Sequence, residues 1–179
     1  MVTNQVIILC NGKGKTDVTD KERFDWARDK IVGTVRERQG IGTLSEKTVH
    51  AVLKNYYAPD EDMHEIPIEG SVADIYTGTE IVEIQTRSFD RMRDKLRKFL
   101  PLYPVTIIYP IPYEKWLIWI DEETGEFSSR RKSPVKGNAY AAFRELYKIK
   151  NFLLEENLHF KFVFLNMEEY RLLNGWSRD

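Results

Sequence analysis

The segment Ser71–Arg87 constrains the fold most, because it reads as two short strands joined by a tight turn. Because side chains alternate between the two faces of a strand, one face of the first strand carries Val72, Asp74 and Tyr76, and one face of the second carries Ile81, Glu83 and Gln85. A two- or four-residue turn around Thr77-Gly78 pairs Asp74 with Ile81 and makes Glu83 its diagonal neighbour, roughly 7–8 Å away at Cα. The hairpin therefore predicts two carboxylates on one face of a sheet, close enough to hold one divalent ion. A three-residue turn would place them on opposite faces.

Elsewhere, strand-like and helix-like patterns alternate, which favours an α/β fold. Strands are predicted at residues 6–10, 64–68, 71–76, 80–87, 105–109, 115–120 and 160–165. Helices are predicted at residues 19–40, 44–57, 88–100, 139–154 and 168–173. A basic stretch at residues 128–138 is predicted to be a flexible loop.

Composition limits the class of protein. The 179 residues are 42% hydrophobic, which predicts one compact domain, with residues 1–40 as a strand and helix packing on a core of residues 41–179. A single cysteine excludes a disulfide framework or a zinc-finger cluster. The apolar run at residues 6–10 is too short to span a membrane and lacks the flanks of a signal peptide, so we expect a cytoplasmic protein with no membrane partner.

The order helix, three strands, helix, strand around Asp74 and Glu83-Ile84-Gln85 resembles the core of the restriction endonuclease-like superfamily, the PD-(D/E)XK nucleases. The resemblance covers residues 41–121 and implies an α/β fold with an αβββαβ core, whose mixed central sheet is flanked by helices. Ala73 replaces the usual proline, and Gln85 replaces the usual lysine. The whole chain also resembles a group of uncharacterised bacterial proteins that share its GTLSEK and ADI…GTEI segments.

This resemblance implies a metal-dependent nuclease that acts on DNA. Asp74, Glu83 and the main-chain carbonyl of Ile84 would bind Mg²⁺ or Mn²⁺, Glu46 would assist from the preceding helix, and Gln85 would orient water without neutralising charge. The resemblance also allows a homodimer. The alternative is a catalytically inactive nuclease fold that binds DNA or a protein partner, with Gln85 marking the lost activity.

Several of these residues also have simpler interpretations. Glu46 lies three residues after Thr43, the spacing of a capping box, so a capping role explains it as well as a catalytic one. Asp74 and Glu83 could lie on a solvent-facing sheet, although Asp is disfavoured inside a strand and here has apolar neighbours.

Basic residues near the hairpin predict a nucleic-acid surface. Because the formal net charge is −1, binding to a polyanion must come from local clusters. Two candidate clusters follow the hairpin in sequence: Arg91, Lys95 and Lys98 on the third helix, and Arg130, Arg131, Lys132 and Lys136 in the predicted loop. A solvated helix face and a solvated loop are the alternatives.

A second phosphate-binding pattern is incomplete. The Gly14-Lys15-Thr16 triplet follows an apolar strand, as in a nucleotide-binding loop, but Leu9 stands where that loop requires its first glycine. We therefore predict a flexible loop there and no bound nucleotide.

Overall fold

The computed structural model describes residues 4–9, 18–39, 45–121 and 123–173, with side chains for residues 20–32, 48–121 and 123–171. The strands are β1 (Asn4–Leu9), β2 (His64–Ile68), β3 (Ser71–Tyr76), β4 (Ile81–Ile84), β5 (Val105–Asp121), β6 (Arg131–Lys132) and β7 (Leu158–Leu173). The α-helices are α1 (Val18–Gln39), α2 (Ser45–Tyr57), α3 (Arg93–Phe99) and α4 (Ala141–Lys148). Every helix in the described part of the chain is too short or too polar to cross a bilayer.

The described strands form one mixed sheet in the order β1-β7-β5-β4-β3-β2, and β6 pairs with β5. The fold is α/β, with a mixed central sheet flanked by helices, as the sequence predicts. The order α2, β2, β3, β4, α3, β5 follows the predicted αβββαβ series. Residues 10–17, which include the Gly14-Lys15-Thr16 triplet, lie outside the described residues.

The chain divides into two compact units. The central unit comprises Leu53–Ile111 and Asn138–Phe164, and the terminal unit comprises Met1–Val52, Pro112–Gly137 and Leu165–Asp179. The long strands β5 and β7 each contribute one part to each unit.

The central unit places β4 between an antiparallel and a parallel neighbour. Strand β3 runs antiparallel to β4, whereas β5 runs parallel to it, with Glu83 opposite Ile107. A parallel pair needs a crossover connection, and α3 supplies it. All four residues of β4 are consequently buried.

The core of this unit lies between the sheet and the crossover segment. The 3₁₀ turn Phe89–Met92 leads directly into α3, and its two apolar ends are buried. Leu96 and Phe99 continue the same helical stripe and have no exposed surface. They belong to one cluster with the sheet residues Ala73, Ile81, Val105 and Ile107. The crossover helix is therefore fixed by its apolar face, which also fixes the direction of the polar residues on it.

The terminal unit is built on strand pairing. Strand β1 runs antiparallel to β7, with Ile7 opposite Glu168, and β6 runs antiparallel to β5, with Lys132 opposite Trp116. Helix α1 buries Phe24 and Ala27, which lie three residues apart on one face of the helix.

Three predicted elements differ from the structure. Residues 105–121 form one strand rather than two, because Pro110 and Pro112 are accommodated within β5. Residues 168–173 extend β7 instead of forming a closing helix, since pairing with β1 outweighs local helix propensity. Arg131 and Lys132 form β6 within the predicted flexible loop.

Candidate active site

The hairpin places Asp74 directly opposite Glu83. Tyr76 pairs with Ile81, and Ile75 with Val82, so Asp74 and Glu83 are the next residues in this register. The predicted pairing of Asp74 with Ile81 was wrong, because the turn comprises Thr77–Glu80 and is centred one residue later than a turn around Thr77-Gly78. The Thr77 N–H donates to the Glu80 carbonyl at 3.1 Å, and the Thr77 hydroxyl accepts from the Glu80 N–H at 3.2 Å.

The two carboxylates also bind the backbone of each other's strand. The Asp74 N–H donates to Glu83 Oε1 at 3.3 Å, and the Ile84 N–H donates to Asp74 Oδ2 at 2.8 Å. These contacts place both carboxylates on one face of the hairpin, as the alternation predicts. They also hold each carboxylate in a fixed orientation, which a metal site requires.

A lysine from the crossover helix joins the carboxylates. Lys95 Nζ lies 2.7 Å from Glu83 Oε2 and 4.0 Å from Asp74 Oδ1. Lys95 belongs to one of the two basic clusters predicted to bind nucleic acid, whereas its ammonium contacts the carboxylate site in the structure. One signal was present in the sequence. Lys95 lies three residues after Met92 and four before Phe99, so it shares the inward face of the helix with these two buried residues.

Burial controls the charge of Glu83. Its side chain is 2% exposed, compared with 18% for Asp74. The pKa of the Glu83 carboxyl is raised to about 7, chiefly because the group is buried; the neighbouring Asp74 charge also raises it, and Lys95 partly opposes both effects. The desolvation of Glu83 therefore outweighs a well-formed ion pair with Lys95. Without another cation, this site holds a proton more readily than an ordinary glutamate does.

The donor set suits a small, hard cation. Within the described side chains, no group of three or more His, Cys, Asp and Glu residues could hold a metal ion. Two carboxylates are nevertheless sufficient for Mg²⁺, which usually retains several waters and binds one or two protein carboxylates. Asp74 and Glu83 thus fit this ion by the chemistry of their oxygens, and the Lys95 ammonium already lies beside both.

The remaining predicted site residues have different positions. The Gln85 amide donates to the Ser88 carbonyl at 2.7 Å, at the turn after β4. Ile84 contacts the site through its N–H. Glu46 lies in α2, but its side chain is outside the described residues, so both interpretations of it stay predictions.

The basic residues Arg91, Lys95 and Lys98 differ in their contacts. Arg91 is exposed. Lys98 Nζ bonds to Ser71 Oγ at 2.9 Å and thereby contacts the turn between β2 and β3. Lys95 thus contacts the carboxylate site, and phosphate binding by Arg91, Lys95 and Lys98 stays a prediction.

The basic cluster of the terminal unit is paired with acidic residues. Arg130 bonds to Glu168 at 2.9 Å and lies over the Trp116 ring, 4.3 Å from its centroid. Lys132 and Lys136 both reach Glu114, at 2.8 and 3.0 Å. These two lysines lower the pKa of the Glu114 carboxyl. Arg131 is exposed on β6.

One polar cluster was not found from sequence. Glu145 on α4 is buried and accepts a hydrogen bond from the Phe89 N–H at 3.0 Å. Its carboxylate also binds Lys148 Nζ at 2.7 and 2.8 Å, and that ammonium reaches Ser88 Oγ at 2.9 Å. Helix α4 thus holds the turn through which the chain passes from Glu83 to Lys95. The partners are more than fifty residues apart in sequence, so no local pattern indicates the contact.

Comparison with known proteins assigns a family. A family model described as a domain of unknown function, DUF8091, matches residues 47–179. The chain belongs to the DUF8091 family. The region matched to DUF8091 contains Asp74, Glu83 and Lys95.

An uncharacterised protein from Treponema pallidum (strain Nichols) is 32% identical over 130 residues, which are 72% of this DUF8091 chain and 51% of the relative. The chain therefore spans about half the length of that curated relative. No solved structure matches the chain.

Proposed function

We propose that this chain is a divalent-metal-dependent nuclease of the restriction endonuclease-like kind, which hydrolyses DNA phosphodiester bonds with Mg²⁺ or Mn²⁺. The convergence of Asp74, Glu83 and Lys95 is the observation that carries this proposal. Two adjacent strands supply the carboxylates, and the crossover helix supplies an ammonium within 2.7 Å of one of them. Hydrolysis of a phosphodiester uses these groups: oxygen ligands for a cation, and a positive charge beside the phosphate.

Each residue has a distinct role. Asp74 and Glu83 would hold the ion, with the Ile84 carbonyl as a further ligand. When bound, the ion would offset negative charge on the phosphate as water attacks phosphorus and one ester P–O bond breaks. Lys95 would contribute the positive charge that Gln85 cannot, because an amide orients water but carries no charge. Gln85 stands where the nucleases usually have a lysine, and Lys95 of α3 would supply that positive charge instead.

The alternative is an inactive nuclease fold that binds DNA or a protein partner. One observation favours it: both oxygens of Glu83 already have donors, the Asp74 N–H and the Lys95 ammonium. In the inactive fold, Asp74, Glu83 and Lys95 would form an ion cluster that stabilises the structure and binds no metal. We also propose a cytoplasmic location, since a chain with one cysteine suits a reducing compartment.

Calorimetric titration with Mn²⁺ at pH 8 tests the metal site directly. An active site predicts one ion per chain, weaker binding in Asp74→Ala, and unchanged binding in Glu114→Gln, a control carboxylate of the terminal unit. Repeated at pH 6, binding should release more protons than at pH 8, because the pKa of Glu83 is raised to about 7. Absence of Mn²⁺ binding by the wild-type chain would favour the inactive fold.

A further inference from the structure

The outer face of α4 carries a row of exposed aromatic side chains. Tyr140, Phe143 and Tyr147 are 77%, 64% and 68% exposed, and their spacing places them on one side of the helix. The opposite side contains the buried residues Ala142 and Glu145. The row is therefore additional to the face that α4 uses for packing. We call Tyr140, Phe143, Arg144 and Tyr147 the α4 stripe.

Cations lie within this row and at its end. Arg144 is exposed and shares the face, since it is four residues after Tyr140 and three before Tyr147. Lys150 Nζ lies over the Tyr147 ring, 4.9 Å from its centroid. The Tyr140 and Phe143 rings are 6.0 Å apart and inclined by 31°. Aromatic faces thus alternate with positive charge on a helix surface exposed to water.

A basic cavity continues the stripe at its C-terminal end. It has a volume of about 480 Å³, shares Tyr147 with the stripe and is also lined by Lys150. Its other cationic lining residues are Arg93, Arg97 and Lys148, and none of the described residues that line it is acidic. Lys148 is neutralised by Glu145, whereas Arg93 and Arg97 pair with Asp90 and Asp94 in exposed contacts that salt and ligands can replace. The cationic lining of the cavity therefore suits a phosphate group.

We propose that the α4 stripe and this cavity bind single-stranded DNA. Bases would stack on the rings of Tyr140, Phe143 and Tyr147, and phosphates would contact Arg144, Lys150 and the cavity cations. Charge complementarity selects this occupant, because alternating rings and cations match the alternating bases and phosphates of an unpaired strand. A duplex keeps its bases stacked inside and offers these rings no base faces.

The surface is separate from the carboxylate site and lies close to it. Arg93 and Arg97 are four residues apart and share one face of α3, whereas Lys95, two residues from each, projects from the opposite face. The two sites are separated by about one helix diameter, ~10 Å, a distance that roughly three nucleotides span. A role of this surface in holding the substrate rests on the proposed function. Binding of a single strand can nevertheless be measured without cleavage.

Fluorescence anisotropy with labelled dT15 in EDTA tests the surface, since chelation prevents metal-dependent cleavage. Phe143→Ala and Tyr147→Ala should each weaken binding about tenfold, as expected for the loss of one stacking partner. Phe143→Tyr should retain the affinity, because it retains a ring. The control Phe127→Ala removes a ring of the terminal unit that is 58% exposed and should have no effect. Lys150→Gln should reduce the salt slope by about 0.7, as for one lost phosphate contact on a single strand.

Three results would overturn the inference: no binding of dT15 by the wild-type chain, unchanged binding by both alanine variants, or equal weakening of duplex and single-strand binding by Phe143→Ala. A dimer that Phe143→Ala dissociates, with dT15 affinity unchanged, would instead make the stripe a contact between copies. Asp74→Ala should bind dT15 normally while losing cleavage. Failure of the nuclease proposal is therefore distinguishable from failure of this inference.

Discussion

Glu83 is buried beside another carboxylate, and its protonation should set how stability depends on pH. The pKa of its carboxyl is raised from an ordinary value of 4.5 to about 7. Between these values the unfolded chain ionises this group while the folded chain keeps it protonated. Stability is therefore lost as pH rises from 4.5 to 7 and is level above that range.

The substitution Glu83→Gln should remove this loss. We expect the variant and the wild-type chain to differ little at pH 5, and the variant to be more stable at pH 8 by up to about 3 kcal/mol in EDTA. Urea denaturation at both pH values measures the difference. A variant that is less stable at pH 8 would mean that the Lys95 ion pair outweighs the cost of burying the Glu83 charge.

Lys95 should be required for cleavage. Lys95→Met removes the ammonium beside Glu83 and should lower kcat by about 10²- to 10³-fold, the usual loss for one electrostatic group at a transition state. As a single substitution, Gln85→Lys should retain or raise activity. Combined with Lys95→Met, it should restore part of the activity that Lys95→Met loses. Lys54→Met is the matched control, because this lysine also pairs with a glutamate, Glu65, that is not part of the candidate site. Full activity in Lys95→Met would assign the lysine a structural role only.

At the scale of elements, alternation and turn residues predict the hairpin, and the structure confirms strands 64–68 and 71–76 with the same bounds. The register could not be obtained in this way. It depends on hydrogen bonds between Thr77 and Glu80 that place the turn at residues 77–80, and alternation alone does not fix where a turn begins. The spacing of Lys95 to Met92 and Phe99 already indicated that its side chain lies on the inward face of α3. Its positive charge had favoured a position on the surface instead.

The closing segment of the sheet shows a different limit. Residues 168–173 contain good helix formers, yet they pair with β1, more than 150 residues earlier in the chain. Pairing at such separation leaves no local signal. For the same reason the contact between Glu145 and the Phe89 N–H could not be predicted.

Helix α4 should stabilise the turn that precedes α3. Glu145→Ala leaves the buried Phe89 N–H without its acceptor and should destabilise the chain by about 1–3 kcal/mol. Glu145→Gln retains an acceptor for that N–H and should cost less. Urea denaturation at pH 7 compares the two variants. Equal stability of Glu145→Ala and the wild-type chain would show that this contact does not hold the turn.

At the scale of the whole molecule, the central unit contains the candidate site and the terminal unit contains the second basic cluster. We predict that this cluster contacts phosphates of duplex DNA. Its ion pairs with Glu114 and Glu168 involve cations that are about half exposed, so phosphates can compete for them.

The salt dependence of duplex binding tests this cluster. Alanine substitution of all four residues, Arg130, Arg131, Lys132 and Lys136, should flatten the slope of log affinity against log salt by up to about 3–4, at about 0.9 per contact. Glu114→Gln should strengthen binding instead, because it releases two lysines. An unchanged slope in the quadruple variant would make the cluster a set of surface ion pairs.

The central claim is that Asp74 and Glu83 form a metal-dependent nuclease site, and cleavage by matched variants tests it most directly. Labelled single-stranded and duplex DNA are incubated with the wild-type chain, Asp74→Ala, Glu83→Ala and the control Asp94→Ala, with Mg²⁺, Mn²⁺ or EDTA. We predict cleavage by the wild-type chain and Asp94→Ala only when metal is present, and none by Asp74→Ala or Glu83→Ala. Circular dichroism confirms that each variant is folded. Cleavage at the wild-type rate by Glu83→Ala, or none by the wild-type chain with either ion, would contradict the claim.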